Sequence, residues 1–175
     1  MPLLVGLVVV PLSLHPVRKS EEARWIRRLT LAIIGLVSLA NAISLALLVH
    51  HLLRGHVQQG RSLIYSAMVI WFTNVIIFAL WLWETDRGGP SVRGTADEGP
   101  YDLQFPQLEN PQLAPKDWQP SFLDYAYVAL TNGTSFGPTD ALPLSVRAKL
   151  LLGSQSRISL ITIAVVAARA VNILH

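Results

Sequence analysis

Residues 62–83 read SLIYSAMVIWFTNVIIFALWLW, and residues 29–49 read LTLAIIGLVSLANAISLALLV. Neither stretch holds a Lys, Arg, His, Asp or Glu. A helix of just over twenty residues is roughly 30 Å long, the thickness of a bilayer's hydrocarbon core. The two runs therefore predict membrane-spanning helices. A soluble domain of 175 residues would have to hide both inside one small core, whereas uncharged apolar runs of this length are the membrane signature. Composition agrees. Apolar residues make up 51% of the chain and charged residues 14%, against about 25% charged in soluble domains.

Charge placement excludes several function classes. Net charge is +3, and much of the basic excess sits at Arg18, Lys19, Arg24, Arg27 and Arg28, just before the first span. That position suits anionic lipid headgroups and the setting of topology. No cationic stripe interleaved with exposed aromatics marks a nucleic-acid partner. The chain has no cysteine, so disulfides, thiolate catalysis and cysteine-ligated metals are excluded. His50, His51 and His56 follow the first span, but adjacent histidines point to different helix faces and no carboxylate is near in sequence. They read as interfacial residues, and no metal is expected. No cofactor is expected either. Asp97-Glu98 reads as a solvated pair in a Gly/Pro-rich loop. With no nucleophile, metal or phosphate motif, the sequence predicts no enzyme and no catalytic residues.

Four segments follow. Residues 1–28 hold a short apolar stretch, 3–14, and the basic connector. The apolar stretch lacks the n-region and cleavage site of a signal peptide, and reads as a half-span or a truncated span. Residues 29–83 form a helical hairpin turning at 55–60. Within it Ser38, Asn41 and Ser44 share a helix face, where small and polar residues suit helix packing or, less simply, a polar path. Asn74 is placed to hydrogen-bond Asn41 across the hairpin. Trp81 and Trp83 read as an interfacial aromatic belt. Residues 84–120 are rich in Pro, Gly and acids and form an extramembrane loop without regular structure of normal length. Tyr101, Leu103, Phe105 and Leu108 would let that loop pack on something. Residues 121–175 complete the chain. The segment 121–130 predicts a short helix capped by Ser121, with Asp124 in its first turn. It reaches only about half-way across a bilayer. A polar turn at 131–140 follows, then a bend at Pro143 and a third long helix over about 145–174. The predicted fold is an all-α membrane protein. It has three full transmembrane helices, a short N-terminal apolar segment and one re-entrant half-helix before the last span.

Non-helical backbone at membrane depth must face protein or water. The turn therefore holds the residues of most interest: Thr131, Thr134, Ser135, Phe136, Gly137, Thr139 and Asp140. Residues 134–145 resemble the pore loop of two-span potassium channels, T-x-G-Y-G-D followed by a proline and a threonine. Thr134 and Ser135 match the paired hydroxyls, Gly137 the first glycine, Asp140 the aspartate and Pro143 the proline, with Ser145 near the threonine. Pro138 stands at the tyrosine and Thr139 at the second glycine, whose backbone angles threonine adopts poorly. The resemblance implies a cation-conducting pore loop, hence a symmetric homo-oligomer, since one loop cannot enclose a pore. A structural or accessory membrane role is the alternative.

Most of the chain after about residue 25 is similar to a group of uncharacterised bacterial, actinobacterial-type multi-pass membrane proteins. Trp71-Phe72-Thr73-Asn74, Asp86-Arg87-Gly88-Gly89-Pro90, Phe105-Pro106-Gln107, Asp124-Tyr125, the 131–143 turn and residues 168–174 carry that similarity. It implies a location in the cell membrane and no particular activity.

Arg157 is ionisable and about a dozen residues into the last helix. It either faces a partner such as Asp124 or Asp140, or snorkels to headgroups. The basic connector puts residues 15–28 in the cytoplasm by the positive-inside rule, and three spans would put 84–145 there too. A potassium-channel loop enters from outside, so orientation stays open.

Overall fold

The computed structural model describes residues 21–54, 60–135, 137 and 141–173. Among these residues the chain forms five helices: α1 (Glu21–Leu53), α2 (Gly60–Thr85), α3 (Pro106–Glu109), α4 (Phe122–Ser135) and α5 (Val146–Ile173). Three stretches are long and apolar enough to cross a membrane: Trp25–Leu53 in α1, Ser62–Gly88 over α2 and the 3-10 turn after it, and Val146–Arg169 in α5. Two short strands, β1 (Leu103–Gln104) and β2 (Leu142–Pro143), pair antiparallel. The expected segment 1–20, Ser20 included, lies outside the described residues, as does His56.

α1 and α2 form the predicted hairpin. Trp81 Nε1 donates to Ser38 Oγ at 3.0 Å across it, so the first of the small polar residues on α1 does serve helix packing. Leu45 and Leu48 of α1 join Leu63, Ala67 and Ile70 of α2 and Val165 of α5 in one buried cluster near the hairpin end. At the other end Arg27 Nη2 donates to the Glu84 carbonyl at 3.2 Å, and Arg147 Nη2 donates to the Thr85 carbonyl at 3.0 Å. The start of α1, the end of α2 and the start of α5 therefore meet at one end of the bundle.

Residues 86–121 fold over that end as a cap. No regular element in it exceeds four residues, as its prolines dictate. The loop is nevertheless well packed. Leu103 and Phe105 are buried with Leu82, Trp83, Tyr125, Ala148 and Leu152, and Leu108 packs against them. Trp83 is thus covered by the cap. The expected lipid-facing belt of Trp81 and Trp83 is not formed, because Trp81 reaches α1 and Trp83 stacks edge-on against Tyr125 at 5.5 Å. Trp25, by contrast, is exposed, as suits a residue at headgroup level.

Two expectations for the last segment need correction. The short helix does not stop at residue 130: α4 runs through Thr131, Asn132, Gly133 and Thr134 to Ser135. The bend at Pro143 is a strand pairing, with Leu103 opposite Pro143 and Gln104 opposite Leu142.

Candidate functional site: the half-helix α4 and its two anchors

α4 is fourteen residues long, about 21 Å, against about 39 Å for α2. It begins under the cap, where Tyr125 contacts Trp83 and Phe105. It ends between α2 and α5, where a Cβ on Gly133 would lie 3.3 Å from Ser159 Oγ and 3.5 Å from Val75 Cγ2. By Ala141 the chain is back in the cluster of Leu82, Trp83 and Tyr125. The sequence at its start explains why a helix forms there. Ser121 N and Oγ both donate to Asp124 Oδ2 at 2.7 Å, a carboxylate held in the first helical turn. Asp124 is therefore engaged at its own cap and does not pair with Arg157.

The first anchor lies at this end. Asp86 Oδ1 accepts from the backbone N–H of Asp102 (2.8 Å) and Leu103 (3.3 Å). Its Oδ2 accepts from Arg87 Nε at 3.3 Å and from the Tyr125 hydroxyl. One fully buried carboxylate thus ties the end of α2, the start of β1 and the start of α4. The chain pays a conformational cost to place it. Arg87 sits at φ 54 and Gly88 and Gly89 at φ 85 and 93. A Cβ on Gly89 would lie 2.8 Å from the Glu84 carbonyl. Positive φ at Gly88 and Gly89 is why two glycines stand there, while Arg87 takes a left-handed conformation that a side chain disfavours.

Two guanidinium groups neutralise the anchor. Arg87 reaches Glu98 at 2.8 Å and Gln119 at 3.1 Å, and lies over the Tyr101 ring. Glu98, read from sequence as a solvated charge, is a partner for a buried arginine instead. Arg93 donates to the Trp83 carbonyl at 2.6 Å and lies 4.3 Å above the Trp83 ring and 4.8 Å above Tyr125. Burial lowers the Arg93 pKa from its ordinary value, with the nearby Tyr125 and Asp86 opposing that shift. Burial likewise raises the Tyr125 hydroxyl above the usual tyrosine range. A second pair, Arg147 with Asp102, staples α5 to the same loop.

The second anchor holds the far end of α4 and contains no ions. Asn132 Nδ2 donates to Gln155 Oε1 at 2.9 Å and to the Leu152 carbonyl at 3.0 Å. Gln155 Nε2 donates back to the Ala129 carbonyl at 2.6 Å. Ser156 Oγ donates to Asn132 Oδ1 at 3.2 Å. From α2, Asn74 Nδ2 donates to Ser159 Oγ (3.0 Å) and the Gln155 carbonyl (3.2 Å). Asn74 therefore binds α5 and not Asn41. The face of α2 that meets α5 also carries Asn74, which leaves Asn41 Oδ1 buried without a partner. Asn41 lines a cleft of ≈ 440 Å³ with Ser44, His51 and Tyr65.

The sequence-predicted pore residues divide. Thr131 and Thr134 are helical, and their hydroxyls donate to the Tyr127 and Leu130 carbonyls of their own helix at 3.0 Å. Ser135 closes α4. Gly137 is half-buried. Phe136, Thr139 and Asp140 lie outside the described residues. Arg157 is exposed on α5, on the residue after Ser156 and so at the depth of Asn132. Among the described residues no three His, Asp or Glu side chains gather as a metal site.

Sequence reading missed Asn132, Gln155, Asp86, Arg87 and Arg93. For one amide a signal existed: Gln155 is a polar residue within a stretch long and apolar enough to span a membrane. No family model, curated protein or solved structure matches this chain.

Proposed function

We propose that this protein is a pore-loop membrane protein that passes cations as a symmetric homo-oligomer in the cell membrane, with α4 as its re-entrant half-helix. One observation carries the reading. α4 runs from Tyr125 to Gly133 beside Ser159, and the chain is back against Gln104 by Leu142. A helix that stops half-way directs its last carbonyls, and the negative end of its dipole, at mid-depth. Cations are stabilised there by the same means that channel filters use. One chain supplies one such helix, so a closed path needs rotational symmetry. The outer face of α4, with Leu123, Tyr127, Leu130 and Thr134 exposed, is available to a neighbouring copy.

The start of α1 with its arginines lies at the capped end, so the positive-inside rule puts the cap in the cytoplasm. The loop then opens from the cytoplasmic side. The likeness to potassium channels concerns the construction of the loop and not its orientation.

A structural or accessory membrane role is the second reading. Two observations favour it: Thr131 and Thr134 turn their hydroxyls onto their own helix, and exposed Arg157 at the same depth repels cations. Reconstitution separates the two. Full-length protein in liposomes should give potassium or sodium flux above protein-free vesicles, and an oligomer by native mass spectrometry. A monomer that is helical by circular dichroism and passes neither ion would establish the structural role.

A further inference from the structure

We propose that the hairpin half of the bundle holds an anionic phospholipid, with one acyl chain in the cleft below the end of α4 and its phosphate at Arg169. The proposal rests on the helices crossing a bilayer and not on conduction.

Beyond α4, helices α2 and α5 flank a cleft of ≈ 400 Å³, within the size range of ligand sites, roughly 300–1,000 Å³. Met68 and Phe72 of α2, Thr134 of α4, and Thr162, Val166 and Ala167 of α5 line it. α4 contributes only its last turn. The cleft thus continues the slot that α4 fills nearer the cap, and a full-length helix there would have occupied it. Its walls offer nothing to a polar guest. The two threonines satisfy themselves, Thr162 Oγ1 on the Ile158 carbonyl at 2.7 Å and Thr134 Oγ1 on the Leu130 carbonyl at 3.0 Å. Met68 and Phe72 are about half exposed, at 49% and 48%, so the cleft opens sideways onto the surroundings of the bundle. A flexible apolar chain entering from the bilayer suits that shape and chemistry.

Charge selects the headgroup. Thr162, Val166 and Arg169 follow one another at i, i+4 and i+7, along one face of α5. Arg169 therefore extends the cleft wall toward the end of the helix. Its Nε is buried without a hydrogen-bond partner. Arg54 and Arg61 belong to the same end of the bundle in chain order. From residue 23 to 83, and again after 140, the sequence has no Asp or Glu. An end that carries arginines and no acidic side chain, beside an apolar cleft, is complementary to a phospholipid whose headgroup keeps a net negative charge.

The test uses full-length protein in mild detergent and native mass spectrometry, with dioleoyl phosphatidylglycerol and dioleoyl phosphatidylcholine supplied in equal amounts. Wild type should retain the glycerol lipid over the choline lipid by about fivefold, the worth of one cation near a headgroup. Arg169→Gln should abolish that preference while both lipids still bind. Ala167→Trp and Met68→Trp, each at a position open enough to accept the larger ring, should reduce retention of both lipids. Leu150→Trp, exposed on the cap half of α5, should change neither. Equal retention of the two lipids by wild type, or undiminished retention in both cleft-filling variants, would overturn the proposal. The chain has no cysteine, so Ala167→Cys can be oxidised cleanly in membranes. A disulfide-linked dimer would show that a second copy fills the cleft, and would overturn it too.

Discussion

At its N-terminal end α4 is held by ions, and at its C-terminal end by amides and hydroxyls. Around Tyr125 the fixed points are Asp86, Arg87, Arg93 and Glu98. Around Asn132 they are Gln155, Asn74, Ser156 and Ser159. Both networks join the end or body of α2 to α4, and the second reaches the body of α5 as well. The difference follows the solvent. Arg93 and Glu98 lie outside the three apolar stretches. The amides at the far end lie between α2 and α5, both long and apolar enough to cross a membrane, and in such surroundings an isolated ion costs far more than a hydrogen-bonded neutral amide. α4 is thus held by side-chain hydrogen bonds at both ends as well as by the apolar burial of Tyr125, Val128 and Ala129.

The sharpest way to break this contrast is to remove one acceptor from each network. Asp86→Ala leaves Arg87 facing only Glu98 and Gln119, and frees the N–H groups of Asp102 and Leu103. Breaking a buried ion pair from one side costs about 3–5 kcal/mol. Thermal unfolding in detergent should show that loss, and limited proteolysis should cut within 89–120. A resistant cap would mean that Asp86 is not its organising group. Gln155→Leu should cost less, about 1–3 kcal/mol, for the bonds lost by the Asn132 amide and the Ala129 carbonyl. It should leave the cap resistant to protease. Were the cap to open in both variants alike, the two anchors would form one cooperative unit.

The ionic anchor alone should respond to pH. The Tyr125 hydroxyl is held above its ordinary value, foremost by burial. In the unfolded chain it ionises near 10. Above that pH the unfolded state has lost a proton that the folded state keeps, so stability falls as pH rises. Below it the contribution is complete. Tyr125→Phe should cost about 1.5–3 kcal/mol at neutral pH, for a hydrogen bond to a carboxylate, and should flatten the loss between about pH 10 and 12. Unfolding midpoints measured at pH 8 and at pH 11 for both proteins check this. An equal alkaline loss in the variant would assign the effect to other tyrosines.

How much of this was legible in the sequence differs along α4. The three spans were plain, because long uncharged runs have one physical meaning. The start of the short helix was visible in Ser121 and Asp124, whose cap is local and needs only three residues of spacing. Its end was misjudged. Thr131, Asn132, Gly133 and Thr134 read as a turn because each disfavours an isolated helix. The helix continues through them because Asn132 finds Gln155, more than twenty residues on, and because Gly133 lets Ser159 come close. Such tertiary partners carry no local signal. The same holds for the cap: Asp86-Arg87-Gly88-Gly89 was a distinct run, but its partners Tyr125 and Glu98 are distant in sequence.

Gly133 gives the finest test, because two opposing effects nearly cancel there. Alanine in a helix is worth about 0.8–1.0 kcal/mol over glycine. A Cβ at Gly133 would sit 3.3 Å from Ser159 Oγ, closer than ordinary contact. Ser159 cannot yield freely, since its hydroxyl accepts from Asn74 at 3.0 Å. Gly133→Ala should therefore be neutral or destabilising by less than about 1 kcal/mol, its gain in propensity offset by that crowding. In a Ser159→Ala background the oxygen is gone, and the same substitution should become stabilising by up to about 1 kcal/mol. Unfolding midpoints of the four proteins give the coupling directly. Additive effects would mean that α4 and α5 do not touch at Gly133, and the neutral anchor would then end at Asn132.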